Sequence, residues 1–168
     1  VIVGGGVVGC ETAHWLANEY GKNVTVLEML PHFMMGVCTA NRGHLLHYLE
    51  KSGVRLYNCT KVKALAKDGV YVEQNQSQTV PDPYNTWQPL LPPNIPNPME
   101  KAIKEEIVEK KIPADLIVLA MGGKADETFF FEAGEEHLAK EIYNIGDSSR
   151  AGRVLEAVRG AYHLAVRI

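Results

Sequence analysis

Glycines set between a strand and a helix constrain this chain more than any other feature. It opens VIVGGGVVGCETAHWLANEYGKNVTVLE. Val1 to Val3 read as the end of a buried strand, and Gly4, Gly6 and Gly9 follow at GxGxxG spacing. Glu11 to Glu19 then read as a helix and Asn23 to Leu27 as a second strand, closed by Glu28. Each part has a task in holding a dinucleotide. Gly4 permits the tight turn, Gly6 lets a pyrophosphate approach the backbone, and Gly9 lets the helix lie close on the sheet. The helix N-terminus offers unpaired N–H groups and about half a positive charge to the phosphates. Glu28 can accept hydrogen bonds from an adenosine ribose. Alone, the glycines are a weak signal; the strand, the helix and an acid roughly 20 residues on supply the context the motif requires.

The totals narrow the alternatives. A length of 168 residues suits one domain, or one and a fraction, and 46% apolar content suffices for a real core. A net charge of −3 gives no global attraction to nucleic acid or to an anionic membrane. No apolar run reaches the length of about 18 residues that a spanning helix needs, and no signal peptide is expected in these residues. The first residue is Val, already inside a strand, so the chain is expected to be an excised piece of a longer one. Cys10, Cys38 and Cys59 form no CxxC pair, which points to a reducing, cytoplasmic setting. Cys10, in the first helical turn, reads either as a stabilised thiolate or as a small apolar residue against the sheet; the second reading is favoured.

Further along, Gly21 suits a helix C-cap, Thr39 to Lys51 read as a second helix with Leu45, Leu46 and Leu49 as its apolar stripe, and Val54 to Tyr57 as a third strand. His44 and His47 share a face of that helix, but a metal would need further ligands and solvated side chains are expected. Thr60 to Gln74 alternate around Lys67-Asp68-Gly69, a hairpin signature. Residues 77–98 hold Pro81, Pro83, Pro89, Pro92, Pro93, Pro96 and Pro98, so an extended surface insertion is predicted, with Tyr84, Trp87, Leu90 and Leu91 as its anchors. Met99 to Lys111 fit helical spacing, while Ile107 to Ile112 equally fit a last meander strand. Asp115 to Met121 predict a strand buried on both faces, closed by Gly122 and Gly123. Residues 124–139 read as irregular or partly helical, Ile142 to Ile145 as a short strand, and Arg153 to Arg167 as a final helix. Gly146-Asp147, an acid between strand and helix, suits a sugar-like hydroxyl; its plainer reading is a turn and an N-cap.

These stretches resemble a known class over essentially the whole chain. VIVGGGVVGCETA is similar to the NAD(P)H motif of two-dinucleotide flavoproteins. DLIVLAMGG is similar to their strand returning from the NAD lobe to the FAD lobe, and IYNIGDSSRAGRVLEAVRGAYHLA to their second FAD motif. The ending most resembles NADH:flavin oxidoreductases of the old yellow enzyme type, a group that includes dienoyl-CoA reductases and trimethylamine dehydrogenase. The resemblance implies an α/β fold: a Rossmann-like parallel sheet with a β-meander over residues 1–122, interrupted by the 77–98 insertion, then part of an FAD lobe over 123–168. It implies NADH and FAD as cofactors of this region. FMN and a 4Fe–4S cluster would lie in an N-terminal TIM barrel which, with the first FAD segment, would precede this chain. It also implies that Asp147 contacts the FAD ribityl chain, that Arg153 and Val154 lie near the flavin, and that Glu11 lies near the flavin–nicotinamide contact. Without the resemblance, Glu11 is only an acid favoured by a helix dipole.

The candidate cofactor-binding set is therefore Gly4, Gly5, Gly6, Val7, Val8, Gly9, Glu11, Glu28, Gly122, Gly146, Asp147, Arg153 and Val154, with no catalytic acid–base pair and no metal ligands. Glu28 favours NADH, because a carboxylate about 4 Å from a 2′-phosphate repels it by roughly 4 kcal/mol at an effective dielectric of 20. Arg42 and Lys22 are the basic residues that could offset this by folding. Partners beyond the nucleotide and the missing segments are not indicated, and a homo-oligomer is left open. Two other roles fit the same residues: a piece of a disulfide reductase or NADH oxidase, or a nucleotide-binding relic that serves assembly.

Overall fold

The computed structural model describes residues 1–87, 95, 97–98 and 101–168. The chain forms two compact units, Val1–Met121 and Gly122–Ile168. In the first, short strands β1 (Ile2–Val3), β2 (Thr25–Leu27), β3 (Arg55–Tyr57) and β7 (Val118–Leu119) form a parallel sheet in the order β3-β2-β1-β7. Helices α1 (Val7–Tyr20) and α2 (Thr39–Lys51) serve as its crossovers. Ile2 lies opposite Val26 on one side and Val118 on the other, so β1 is central. This is a Rossmann-like arrangement of mixed α/β class.

Local chemistry explains the element limits. Helix α1 begins at Val7, earlier than the predicted Glu11, because extended Gly6 (φ −72°, ψ −176°) serves as its N-cap and the Cys10 N–H already reaches the Gly6 carbonyl at 3.0 Å. It ends at Gly21 in the left-handed region (φ 59°), and the Lys22 N–H returns to the Leu16 carbonyl at 3.1 Å. Its buried face is Gly9, Cys10 and Ala13, residues small enough to bring the helix close to the sheet. A core of Ile2, Val26, Phe33, Leu46, Leu49 and Val54 lies between this sheet and the helices. Each such fully buried side chain contributes roughly 2 kcal/mol of transfer free energy.

A second sheet, β4 (Thr60–Ala66), β5 (Gly69–Asn75) and β6 (Ile107–Pro113), is an antiparallel meander. Its Val70, Val72 and Ile112 join Leu27 in a separate cluster. The open choice at 107–112 thus resolves as strand. Ile112 pairs with Val70 and is buried, while Pro113, which has no N–H, falls on an edge strand that tolerates it. Residues 101–106 are not helical, and Met99 lies outside the described residues. Strand β7 is shorter than Asp115 to Met121 and is not buried on both faces. It is an edge strand, and Leu116, Leu119 and Met121 remain exposed.

The described start of the proline-rich segment is anchored by polar side chains. The Tyr84 hydroxyl donates to the Val54 carbonyl at 2.5 Å and accepts from the Leu56 N–H at 3.2 Å. Asn58 Nδ2 donates to the carbonyls of Pro31 and Pro81 at 2.7 and 2.8 Å. Trp87 is exposed and is no anchor, and Leu90 and Leu91 lie outside the described residues.

The second unit holds α3 (Thr128–Glu135), a 3-10 turn over Gly146–Ser148 and α4 (Val154–Ala165). Ile142 to Ile145 do not form the predicted strand, since among the described residues no strand is paired with them to satisfy their backbone. Helix α4 starts from a capping box in which Glu156 accepts the Arg153 N–H at 3.0 Å. It has no buried residue within the described chain, so its apolar face of Val154, Val158 and Tyr162 stays uncovered.

The closest backbone approach in the first unit is testable. A Cβ on Gly9 would stand 2.0 Å from the Gly4 carbonyl oxygen. Gly9→Ala is expected to lower stability by about 1–3 kcal/mol, as overpacking does. Urea unfolding should show a lower midpoint with an unchanged slope.

Candidate functional site

The glycine loop leaves the carboxyl end of the central strand, where open α/β sheets receive ligands. Gly4 turns the chain at φ +111°, and its N–H donates to the Leu27 carbonyl at 2.9 Å. A side chain there would strike the Ala120 carbonyl oxygen at 2.3 Å, so the turn admits only glycine. Gly5 is closed in as well. A Cβ on it would meet the Phe33 ring at 2.3 Å and Glu28 Cβ at 2.8 Å. Gly6 differs from both: a Cβ there would meet nothing within 4 Å. The loop therefore has a closed side set against Phe33 and an open side at Gly6.

Glu28 is brought to this loop from 23 residues away. Its carboxylate accepts the Gly5 N–H at 2.8 Å through Oε2 and the Leu30 N–H at 2.8 Å through Oε1. An ionised carboxylate has about four lone-pair positions, so two remain for hydroxyl donors. The first turn of α1 carries no acid, and an α-helix leaves its first N–H groups, here from Val7 onward, without helical partners. Val8 is exposed beside them, and Glu11 is exposed one turn further on.

Neither basic candidate stands at the carboxylate. Arg42 is buried (3% exposed) and committed to carbonyls: Nε to Phe33 at 2.9 Å, Nη1 to Asn85 at 3.1 Å and to Thr86 at 3.4 Å. Lys22 follows α1, whose length puts about 20 Å between its two ends. Arg42, Phe33 and the Leu30 amide are functional neighbours that the motif alone does not reveal. A signal for Arg42 existed: with Leu46 and Leu49 it falls at i, i+4, i+7, on the buried stripe.

The remaining candidates scatter. His44 and His47 rest against Tyr48, with ring centroids 4.7 and 5.8 Å away, and no group of His, Cys, Asp and Glu suited to a metal occurs among the described residues. Gly122 adopts φ +87° and begins the second unit. That unit contains a cleft of about 500 Å³ lined by Asn144, Gly146, Arg150, Arg153 and Glu156, among others. Asp147 and Val154 lie outside its lining. Asp147 accepts the Gly152 N–H at 3.1 Å, closing the turn before α4, and Arg153 is paired with Glu156 at 2.5 Å.

Cys10 is settled as an apolar packing residue. Burial first, then the nearby Glu28 charge, pushes its thiol from 9.0 up to about 12, and Sγ donates to the Gly5 carbonyl at 3.6 Å. The folded state thus holds the proton more tightly than the unfolded state. Stability is full below pH 9 and declines as pH rises from 9 towards 12, by at most about 4 kcal/mol for three pKa units. The free energy of unfolding measured across that range should fall less steeply for Cys10→Ala than for the wild type.

Comparison with known proteins agrees with this geometry. The family model described as pyridine nucleotide-disulphide oxidoreductase matches residues 1–154. An NADH oxidase of Thermoanaerobacter brockii is 27% identical over all of this chain and 21% of its own length. A cinnamate reductase of Clostridium sporogenes is 23% identical over the whole chain and 21% of its own. Among solved structures, a 2-naphthoyl-CoA reductase superposes with a TM-score of 0.72 at 24% identity, over 99% of this chain and 20% of that one, and shares the fold. The chain spans about a fifth of the length of these relatives. With its glycine loop and match from residue 1 to 154, the chain belongs to the pyridine nucleotide-disulphide oxidoreductase family.

Proposed function

We propose that residues 1–122 are an NADH-binding lobe and that residues 123–168 complete an FAD lobe in a larger NADH-dependent flavin oxidoreductase. One observation carries this reading: the open space at Gly6 lies in the same loop as the Gly5 N–H that holds the Glu28 carboxylate. A pyrophosphate fits at Gly6, beside the outward N–H groups of the α1 N-terminus. The vacant lone pairs of Glu28 fit the adenosine ribose hydroxyls. Glu11, one turn up the helix, would face the nicotinamide side. In the second unit, Gly146 and Arg153 line a cleft that we assign to the FAD segment, and Asp147 and Val154 lie outside its lining.

When bound, flavin and nicotinamide supply hydride chemistry; the protein positions them and excludes competing reactions. Residues of this chain act by binding and orientation. Glu28 also sets the nucleotide preference, because its carboxylate opposes a 2′-phosphate while Arg42 is held at the carbonyls of Phe33, Asn85 and Thr86. The relative named an NADH oxidase supports NADH as the donor, and the one named a cinnamate reductase supports an unsaturated acceptor. The resemblance to old yellow enzyme-type reductases extends this to a TIM barrel bearing FMN and a 4Fe–4S cluster elsewhere in the full protein.

The test is calorimetric titration of the full-length protein with NADH and then NADPH. NADH should bind at least about tenfold more tightly, the residue of roughly 4 kcal/mol after solvent screening. Gly6→Val should abolish that binding while leaving the melting temperature unchanged, because its side chain enters space the protein leaves empty. Glu28→Gln should narrow the NADH preference. It should also cost about 1–3 kcal/mol of stability, since an amide can accept only one of the two N–H bonds with its oxygen. Tighter binding of NADPH by the wild type would overturn the role given to Glu28, and nucleotide binding that survives Gly6→Val would overturn the site.

A further inference from the structure

Arg42 is a buried cation whose hydrogen-bond partners are neutral carbonyl oxygens: Phe33 at 2.9 Å, Asn85 at 3.1 Å and Thr86 at 3.4 Å. A buried charge with no counter-ion among the described residues is costly, so its position asks for an explanation. The geometry supplies one. The Phe33 carbonyl that Arg42 grips belongs to the same peptide group as the Met34 N–H, and that N–H donates to the Gly5 carbonyl at 2.8 Å. The Gly5 carbonyl in turn belongs to the same peptide group as the Gly6 N–H. No peptide bond here is cis, so in each planar group the carbonyl and the N–H point in opposite directions. Fixing the Gly5 carbonyl towards Met34 therefore turns the Gly6 N–H away from the protein, towards the side where a Cβ on Gly6 would meet nothing.

We propose that Arg42 is a positioning residue for the dinucleotide pyrophosphate, acting on the Gly6 N–H through the Phe33–Met34 and Gly5–Gly6 peptide groups. This rests on the reading of Gly6 as the phosphate approach. The guanidinium polarises the first carbonyl, the hydrogen-bonded chain passes the polarisation on, and the last N–H becomes a stronger donor to an anion. The phosphate, in return, supplies negative charge on the far side of the chain from Arg42. The same guanidinium ties the loop to the proline-rich segment through the carbonyls of Asn85 and Thr86. Thr86 also lies against α2, with its Cβ 3.4 Å from where a Cβ on Gly43 would stand. Residues 85–86 thereby hold Arg42 through Nη1 while its Nε stays on the Phe33 carbonyl.

The experiment is stopped-flow reduction of the flavin in the full-length holoenzyme by NADH, for wild type, Arg42→Met and Arg42→Lys. It separates the NADH dissociation constant from the limiting rate. Arg42→Met, neutral and of similar length, should weaken NADH by about tenfold, the effect of a unit charge roughly 10 Å away at an effective dielectric of 20. Its limiting rate should stay within about twofold, because the hydride-transfer geometry is untouched. Arg42→Lys, which keeps the charge, should lose less than about threefold in affinity. General destabilisation would reduce the active fraction without moving the dissociation constant. Wild-type affinity in Arg42→Met, or equal losses in Met and Lys, would overturn the relay. Should Arg42→Met not fold, Arg42→Gln replaces it under the same criteria. A wild-type holoenzyme that shows no saturation with NADH would overturn the proposed function itself; saturation with no difference among the variants would overturn the relay alone.

Discussion

The structure turns on one close contact, where α1 lies over the loop leaving β1. A Cβ on Gly9 would fall 2.0 Å from the Gly4 carbonyl oxygen and 3.4 Å from Ala120 Cβ. With glycine there, the helix descends until Cys10 and Ala13 are fully buried against the sheet. That descent places the helix N-terminus directly after the Gly4 turn, with Gly6 as its cap. It also explains why the helix starts at Val7: the turn is completed within three glycines, leaving no spacer residues. The same burial raises the Cys10 thiol to about 12 and makes it a packing group.

Around that contact, opposite charges lie on two sides of one peptide loop. Glu28 holds the Gly5 N–H, while Arg42 reaches the Gly5 carbonyl through the Phe33–Met34 peptide. Both ends of a single glycine are therefore fixed by ionised side chains, one directly and one indirectly. Phe33 beneath Gly5 completes the closed side, so the loop stays open only at Gly6. Rigid support from residues that a ligand never touches is how a binding loop keeps its geometry before binding. The proline-rich segment shares in this support, since Tyr84, Pro81 and the carbonyls of Asn85 and Thr86 all bind to the framework of the first unit.

The second unit follows a different physical logic. Its one buried apolar residue within the described chain is Ala133, while Phe129, Val154 and Tyr162 stay exposed. Its order comes from short-range polar closures. Glu156 caps α4 together with Arg153, Asp147 accepts the Gly152 N–H, and Ser148 donates to Ile145 and Asn144. Such closures fix turns and helix ends, but they bury little surface.

Much of this was legible from residue order. Periodicity and punctuation located α2 at Thr39 to Lys51, the hairpin around Lys67-Asp68-Gly69, and the strand–glycine–helix–strand–acid unit, because those signals are local. Where the sequence left a choice open or misread a segment, long-range pairing decided. Ile107 to Pro113 became a strand because β5 offered an edge with Val70 opposite Ile112, and Ile142 to Ile145 did not because no such edge was paired with them. The motif determined by itself that Gly4 must turn and that Glu28 must end the adjacent strand, since spacing and backbone sterics suffice for both. Only the tertiary structure decided that Glu28 grips Gly5, that Phe33 fills the space beneath it, and that Arg42 faces carbonyls. Those contacts join residues through space, where the buried stripe of α2 meets the loop after β2, and one-dimensional order carries no measure of that distance.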